Sequence, residues 1–203
     1  MVALLLIAAF SDKYFPRKEE LPRKIIHIGT GVIIPLAWWL EISAYTAILL
    51  ASIITLGLLI NYYIKVFPSM ENINRKSFGT IAYGASITYL LIHFWPNNAD
   101  AVCAGILTMA LGDGFAGLIG SEIKSPNWII LKQKKSILGT ICMFLMTCLV
   151  LTIISLCIQT TIGIMNIIII ASLATLLEQI GPWGIDNLTV PIGVSYSWYI
   201  IVN

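Results

Sequence analysis

The chain has 203 residues, 58% hydrophobic and 11% charged, with a mean hydropathy of +0.90. Soluble domains carry about 25% charged residues, so the composition excludes a soluble globular fold and predicts an all-α, polytopic integral membrane protein. Spans of about 20 residues consume nearly the whole length, which leaves one membrane-embedded domain over residues 1–203 and no separate soluble one. The net charge of +2 says little by itself, and nucleic acid is not expected as a partner.

About seven transmembrane helices are expected, preceded by a short apolar segment, Met1–Phe10, that is too short to span. That segment lacks the basic region and cleavage site of a secretory signal, and the absence of a transit peptide points to a prokaryotic or mature chain. A polar stretch, Ser11–Lys24, leads into a short span at Ile25–Leu40, and Ala44–Ile64 is the next. A second polar loop, Lys65–Ser77, precedes the span Phe78–Trp95, which Pro96-Asn97-Asn98 breaks. Ala99–Gly120 follows, then a third basic loop, Ser121–Ser136. Ile137–Gln159 and Ile162–Ile180 are two further spans, and Gly181–Asn187 connects to a last apolar run, Leu188–Val202. Cys103, Cys142, Cys148 and Cys157 sit in apolar runs with no CxxC, and read as small packed hydrophobes.

When the connections are assigned alternately to the two sides, all 12 Lys and Arg fall on one side, in the loops 11–24, 65–77 and 121–136. The positive-inside rule makes that side cytoplasmic, and 181–187 joins it. His27, Arg75, Asp113, Lys135, Ser136, Glu178 and Asp186-Asn187 then gather in the cytoplasmic leaflet, with Asp113 roughly 10 Å along its helix from the next loop. His93, beside Phe94-Trp95 at the other end, reads as an aromatic-belt neighbour.

Asp113 lies in Leu111-Gly112-Asp113-Gly114-Phe115-Ala116-Gly117, a glycine-rich apolar run. A carboxylate there is costly, and is retained for pairing, coordination or function. Gly112-x-Gly114-x-x-Gly117 matches a dinucleotide fingerprint literally, but the flanking strand and crossover helix are missing. Close helix packing through Ala110/Gly114 and Ala116/Gly120 explains the glycines and leaves the acid unexplained. Lys134-Lys135-Ser136 with Gly139-Thr140 opens a helix, where free N–H groups and the dipole favour phosphate. Glu178 and Asp186-Asn187 bracket the Gly181-Pro182 break. They either pair with the basic loops or, with Asp113, share a Mg²⁺, which binds through a few carboxylates and nucleotide phosphates.

These features occur in an order that resembles the membrane polyprenol kinases (phytol, farnesol, geranylgeraniol and dolichol kinases), a group distantly similar to the CDP-diacylglycerol synthases. The matching residues are Arg23-Lys24-x-x-His27 with Gly31, Arg75-Lys76-Ser77-Phe78-Gly79-Thr80 with Tyr83, and Gly112-Asp113-x-x-Ala116-x-x-x-Gly120. Lys135-Ser136-x-x-Gly139-Thr140 and Glu178, Asp186-Asn187 and Pro191 complete the set, which covers Leu21 to Pro191. The resemblance implies phosphoryl transfer from CTP or ATP to an isoprenoid alcohol held in the bilayer. Asp113, Glu178 and Asp186 would bind Mg²⁺, with Asp113 alternatively activating the alcohol. Lys135, Ser136, Gly139 and Thr140 would hold the triphosphate, with Arg23, Lys24 and Arg75 neutralising charge and Asn187 orienting the site. His27 would bind phosphate or shuttle a proton. It further implies an active site on the cytoplasmic face of a prokaryotic cell membrane or thylakoid-type membrane; oligomeric state is open. A CDP-lipid synthase is the runner-up, disfavoured because only Asp186 stands where that group carries two aspartates around an arginine. A diacylglycerol kinase or a small transporter is a weaker alternative, and the chain shows no internal repeat of the kind transporters carry.

Overall fold

The computed structural model describes residues 21–64, 78–131 and 133–203, with the side chains of residues 21–23 and 26 outside that description. Met1–Phe10 and Arg75 therefore lie outside the described residues, and Arg23 is described only in its backbone.

Among the described residues the chain forms 7 helices. They are α1 (Leu21–Trp39), α2 (Ala44–Ile64), α3 (Gly79–Phe94), α4 (Ala99–Glu122), α5 (Ile137–Cys157), α6 (Ile164–Ile180) and α7 (Asp186–Val202). By length and composition α2, α4 and α5 are long and apolar enough to cross a membrane, and α6 is a shorter apolar helix. All four cysteines are free.

The fold is built around α4. In its most apolar stretch 61% of residues are buried, against 11% for α2, because alanines and glycines let neighbouring backbones close in. Helices α1, α5 and α7 all pack on α4, α6 bridges α5 and α7, and α2 sits outside against α3. The glycine run serves these contacts. A Cβ on Gly112 would stand 2.6 Å from Met143 Sδ of α5, and one on Gly114 2.7 Å from Ile28 Cγ1 of α1. At the centre of α4, Thr108–Asp113 winds as π-helix. Such turns carry one extra residue and recur at functional sites.

The expected loop between α4 and α5 is replaced by regular structure. Helix α4 runs on to Glu122, and β1 (Asn127–Ile130) pairs antiparallel with β2 (Gln133–Ser136), so the described residues are all-α apart from one hairpin. Trp128 lies across from Lys135 and Ile129 from Lys134. This alternation turns Lys135 toward the helices while Lys134 stays exposed. At the opposite end of the bundle Trp95 Nε1 donates to Ile42 O at 2.8 Å, tying two turns together. His93 stacks there on Tyr89, with ring centroids 4.1 Å apart.

Candidate active site

The hairpin, the inner half of α4, the start of α5 and the α6–α7 connection enclose a cavity of about 720 Å³. This falls within the roughly 300–1,000 Å³ of small-molecule sites. Lys24, Asp113, Lys135, Ser136, Gly139, Thr140, Glu178, Asp186 and Asn187 all line it. Residues from five helices, spread over most of the chain, thus meet at one end of the bundle.

Two carboxylates arrive already paired. Lys24 Nζ donates to Asp113 Oδ2 at 2.7 Å and to the Asp113 backbone carbonyl at 2.9 Å. The Lys24 stem reaches α4 only because residue 117 is glycine; a Cβ there would stand 2.6 Å from Lys24 Cε and Nζ. Lys135 Nζ likewise donates to the Glu178 carboxylate, and to the Glu178 backbone carbonyl at 2.8 Å. Lys24, Glu178 and Asp186 are 5%, 6% and 9% exposed. At such burial an unpaired charge is expensive, which accounts for the pairing.

The third carboxylate has no such partner. Asp186 Oδ1 is buried without a hydrogen bond among the described residues, and so is Gln179 Oε1. Gln179 Nε2 donates to Glu178 Oε2 at 2.8 Å and to Thr140 Oγ1 at 3.0 Å. A carboxylate only accepts, which fixes the amide's orientation and leaves its carbonyl oxygen as the open acceptor. Asp113, Glu178 and Asp186 each offer one oxygen within 4.8 Å of the others. An octahedral magnesium shell spans about 3–4 Å between ligand oxygens. Three acidic groups plus an orphaned amide oxygen therefore fit a hard divalent cation with part of its water shell. Asp113, Glu178 and Asp186 would hold it directly, with Gln179 accepting from bound water.

Beside this cluster, Ser136 caps α5. Its Oγ accepts from Gly139 N at 3.2 Å, and Thr140 Oγ1 donates to Ser136 O at 2.9 Å. Gly120 and Gly139 let α4 and α5 approach here, since a Cβ on Gly120 would stand 2.7 Å from Ser136 Oγ. Ile137 N donates to Pro126 O at 3.0 Å, so two N–H groups of this first turn already have acceptors. Only the others are candidates for the phosphate that the sequence leads one to expect here.

His27 is not brought into the cavity wall. It stacks on Tyr83 with centroids 4.0 Å apart, and Tyr83 Oη donates to His27 O at 3.5 Å, so the pair sits between α1 and α3. Gln179 went unnoticed in the sequence because a neutral amide beside an acid carries no charge signal. Its position in an apolar helix next to Glu178 was the clue available.

The fold is that of a helical membrane protein, and its inner cavity is chemically suited to a metal-bound polyphosphate. Comparison with known proteins gives the class a family. The chain is 34% identical over 210 residues to a phytol kinase from Synechocystis sp., covering 97% of this chain and 88% of that protein. It is 28% identical over 135 residues to the chloroplastic farnesol kinase of Arabidopsis thaliana, covering 61% of this chain and 43% of that one. A probable chloroplastic phytol kinase of Oryza sativa subsp. japonica is 24% identical over 208 residues, covering 91% and 65%. No protein-family model and no solved structure matches the chain. The chain belongs to the phytol kinase and farnesol kinase family of prenol kinases.

Proposed function

We propose that the protein transfers the γ-phosphoryl group of a nucleoside triphosphate, CTP or ATP with CTP the first to try, to the hydroxyl of a membrane isoprenoid alcohol, with phytol the first candidate. The observation that carries the reading is the convergence, in one cavity, of three carboxylates, two lysines and a capped helix N-terminus. Phosphoryl transfer asks for this combination, since its catalysis is mostly positioning and charge neutralisation.

The alcohol oxygen attacks the γ-phosphorus in line while its proton passes to a carboxylate of the cavity, Asp113 being the candidate. The bond from that phosphorus to the β,γ-bridging oxygen breaks, and the nucleoside diphosphate leaves. Lys24 and Lys135 turn from their carboxylates toward the phosphates, Ser136, Gly139 and Thr140 present the N-terminus of α5, and Asn187 steadies Asp186. Mg²⁺, when bound by Asp113, Glu178 and Asp186, would neutralise charge on the phosphoryl oxygens. Arg23 and Arg75 belong to the same proposal as further cations, and His27 as a positioning residue behind Lys24 on α1. The seven helices would all span the bilayer, in a cell membrane or a thylakoid-type one. The cavity then opens to the cytoplasmic side and the isoprenoid tail remains in lipid.

The deciding experiment supplies the purified protein with CTP labelled at the γ-phosphate, then at the α-phosphate, with phytol and with phosphatidate. Label from the γ-position in prenyl phosphate, with CDP formed, is the expected result. α-Label in lipid with release of pyrophosphate would make it a CDP-lipid synthase instead.

A further inference from the structure

Lys24, Glu178 and Asp186, which would meet the phosphates and the metal, are among the most buried residues of the cavity, so the other end of a nucleotide would lie toward the mouth. Among the described residues lining the cavity, Trp183 is the one aromatic, and it is 59% exposed. It sits in the connection between α6 and α7, where Pro182–Gly184 forms a single 3₁₀ turn. The backbone there is left-handed, with φ 55° at Trp183 and φ 88° at Gly184. Glycine adopts that region freely, but for a bulky residue it is an outlier that surrounding contacts must hold in place.

Two such contacts are present. Phe78 N, at the start of α3, donates to Trp183 O at 2.9 Å. Gly181 lies so close to Asp186 that a Cβ there would stand 2.6 Å from Asp186 Cβ and N. The turn thus fixes the backbone of Trp183 relative to Asp186, three residues on. A Trp placed only as an interfacial anchor needs neither a left-handed backbone nor a position on the wall of a polar cavity. Toward the hairpin, Ser125 lines the same cavity, and its Oγ is buried without a partner among the described residues. It offers a hydrogen bond to a ribose or a base edge.

We propose that Trp183 is the platform on which the base of the bound nucleoside triphosphate stacks. The proposal rests on the phosphoryl-transfer reading and adds to it the residue that holds the nucleoside. Every base presents a π-face, so the stack supplies affinity for a nucleotide over bare polyphosphate.

The test compares magnesium complexes of CTP, ATP and inorganic tripolyphosphate, which has the phosphates and no base. Binding is measured by calorimetry on the full chain in detergent, for the unmodified protein, Trp183→Ala and Trp183→Phe, with melting curves as the check on folding. Trp183→Ala should weaken nucleotide binding roughly ten-fold or more, the size of a lost base stack, and leave tripolyphosphate binding unchanged. Trp183→Phe should retain the nucleotide. Equal weakening of nucleotide and tripolyphosphate, or no weakening of either, overturns the proposal. An unmodified protein that binds nucleotide no better than tripolyphosphate overturns the stack alone, whereas one that binds none of the three overturns the phosphoryl-transfer reading beneath it.

Discussion

Asp113 and Lys24 stand 89 positions apart in the chain and 2.7 Å apart in the fold, and this pair makes the site testable at a single atom. Asp113→Asn removes a charge while keeping shape, and leaves Lys24 buried beside a neutral amide. Breaking a buried pair costs about 3–5 kcal/mol; with the Asp113 side chain 19% exposed, the lower end, about 3 kcal/mol, is expected. Adding Lys24→Met should restore most of that stability, because neither charge is then stranded. It should not restore γ-phosphoryl transfer if Asp113 also binds the metal. Melting curves and activity on the two variants check this, and a double variant with normal turnover would sink the metal role. Asp113, Glu178 and Asp186 stood out in the sequence because acids are rare in apolar runs. Their meeting within 4.8 Å was foreshadowed only by the order of motifs. That Glu178 pairs with a basic loop was one of the two readings the sequence left open, and Lys135 realises it. That Lys24 meets Asp113 was not legible, since nothing in a lysine's sequence position says whether it faces a phosphate or a carboxylate.

The elements repeat that division between what composition shows and what geometry decides. Helix α4 was expected over Ala99–Gly120 and runs over Ala99–Glu122, because a long Ala- and Gly-rich apolar stretch has one stable form in lipid. Its π turn at Thr108–Asp113 has no compositional mark, as hydrogen-bond register is set by packing. The hairpin at 127–136 was hidden for another reason: strands of four residues carrying lysines look like any basic loop. The start of α5 at Ile137 was legible from the apolar run, and the structure adds the Ser136 cap. Ser136→Ala should cost about 1 kcal/mol of stability, the usual loss of an N-cap. If the first turn of α5 also holds phosphate, the KM for nucleotide should rise well beyond what that loss explains. Steady-state kinetics beside a melting curve separate the two, and an unchanged KM would reduce Ser136 to a cap.

At the scale of the molecule, the described residues proposed for the chemistry sit at one end of the bundle, and sidedness can be measured directly. In a background with the four native cysteines replaced, single cysteines at Gln133 and Gly184 should label only from the cytoplasmic side. Cysteines at Asn98 and Thr161 should label only from the other. Opposite labelling of Gln133 and Gly184 would dismantle the shared site. The two lysine–carboxylate pairs have a consequence for the life of the protein before it meets a ligand. With Lys24 on Asp113 and Lys135 on Glu178, the ligand-free chain can be inserted and stored in a bilayer with these charges already compensated. The same self-sufficiency acts as a filter. Metal alone would draw away the carboxylates and strand the ammonium groups, and polyphosphate alone would strand the carboxylates. A ligand that brings both signs satisfies each partner at once. On the proposed reading, metal and nucleotide would therefore reinforce each other's binding reciprocally, and either one alone would bind weakly.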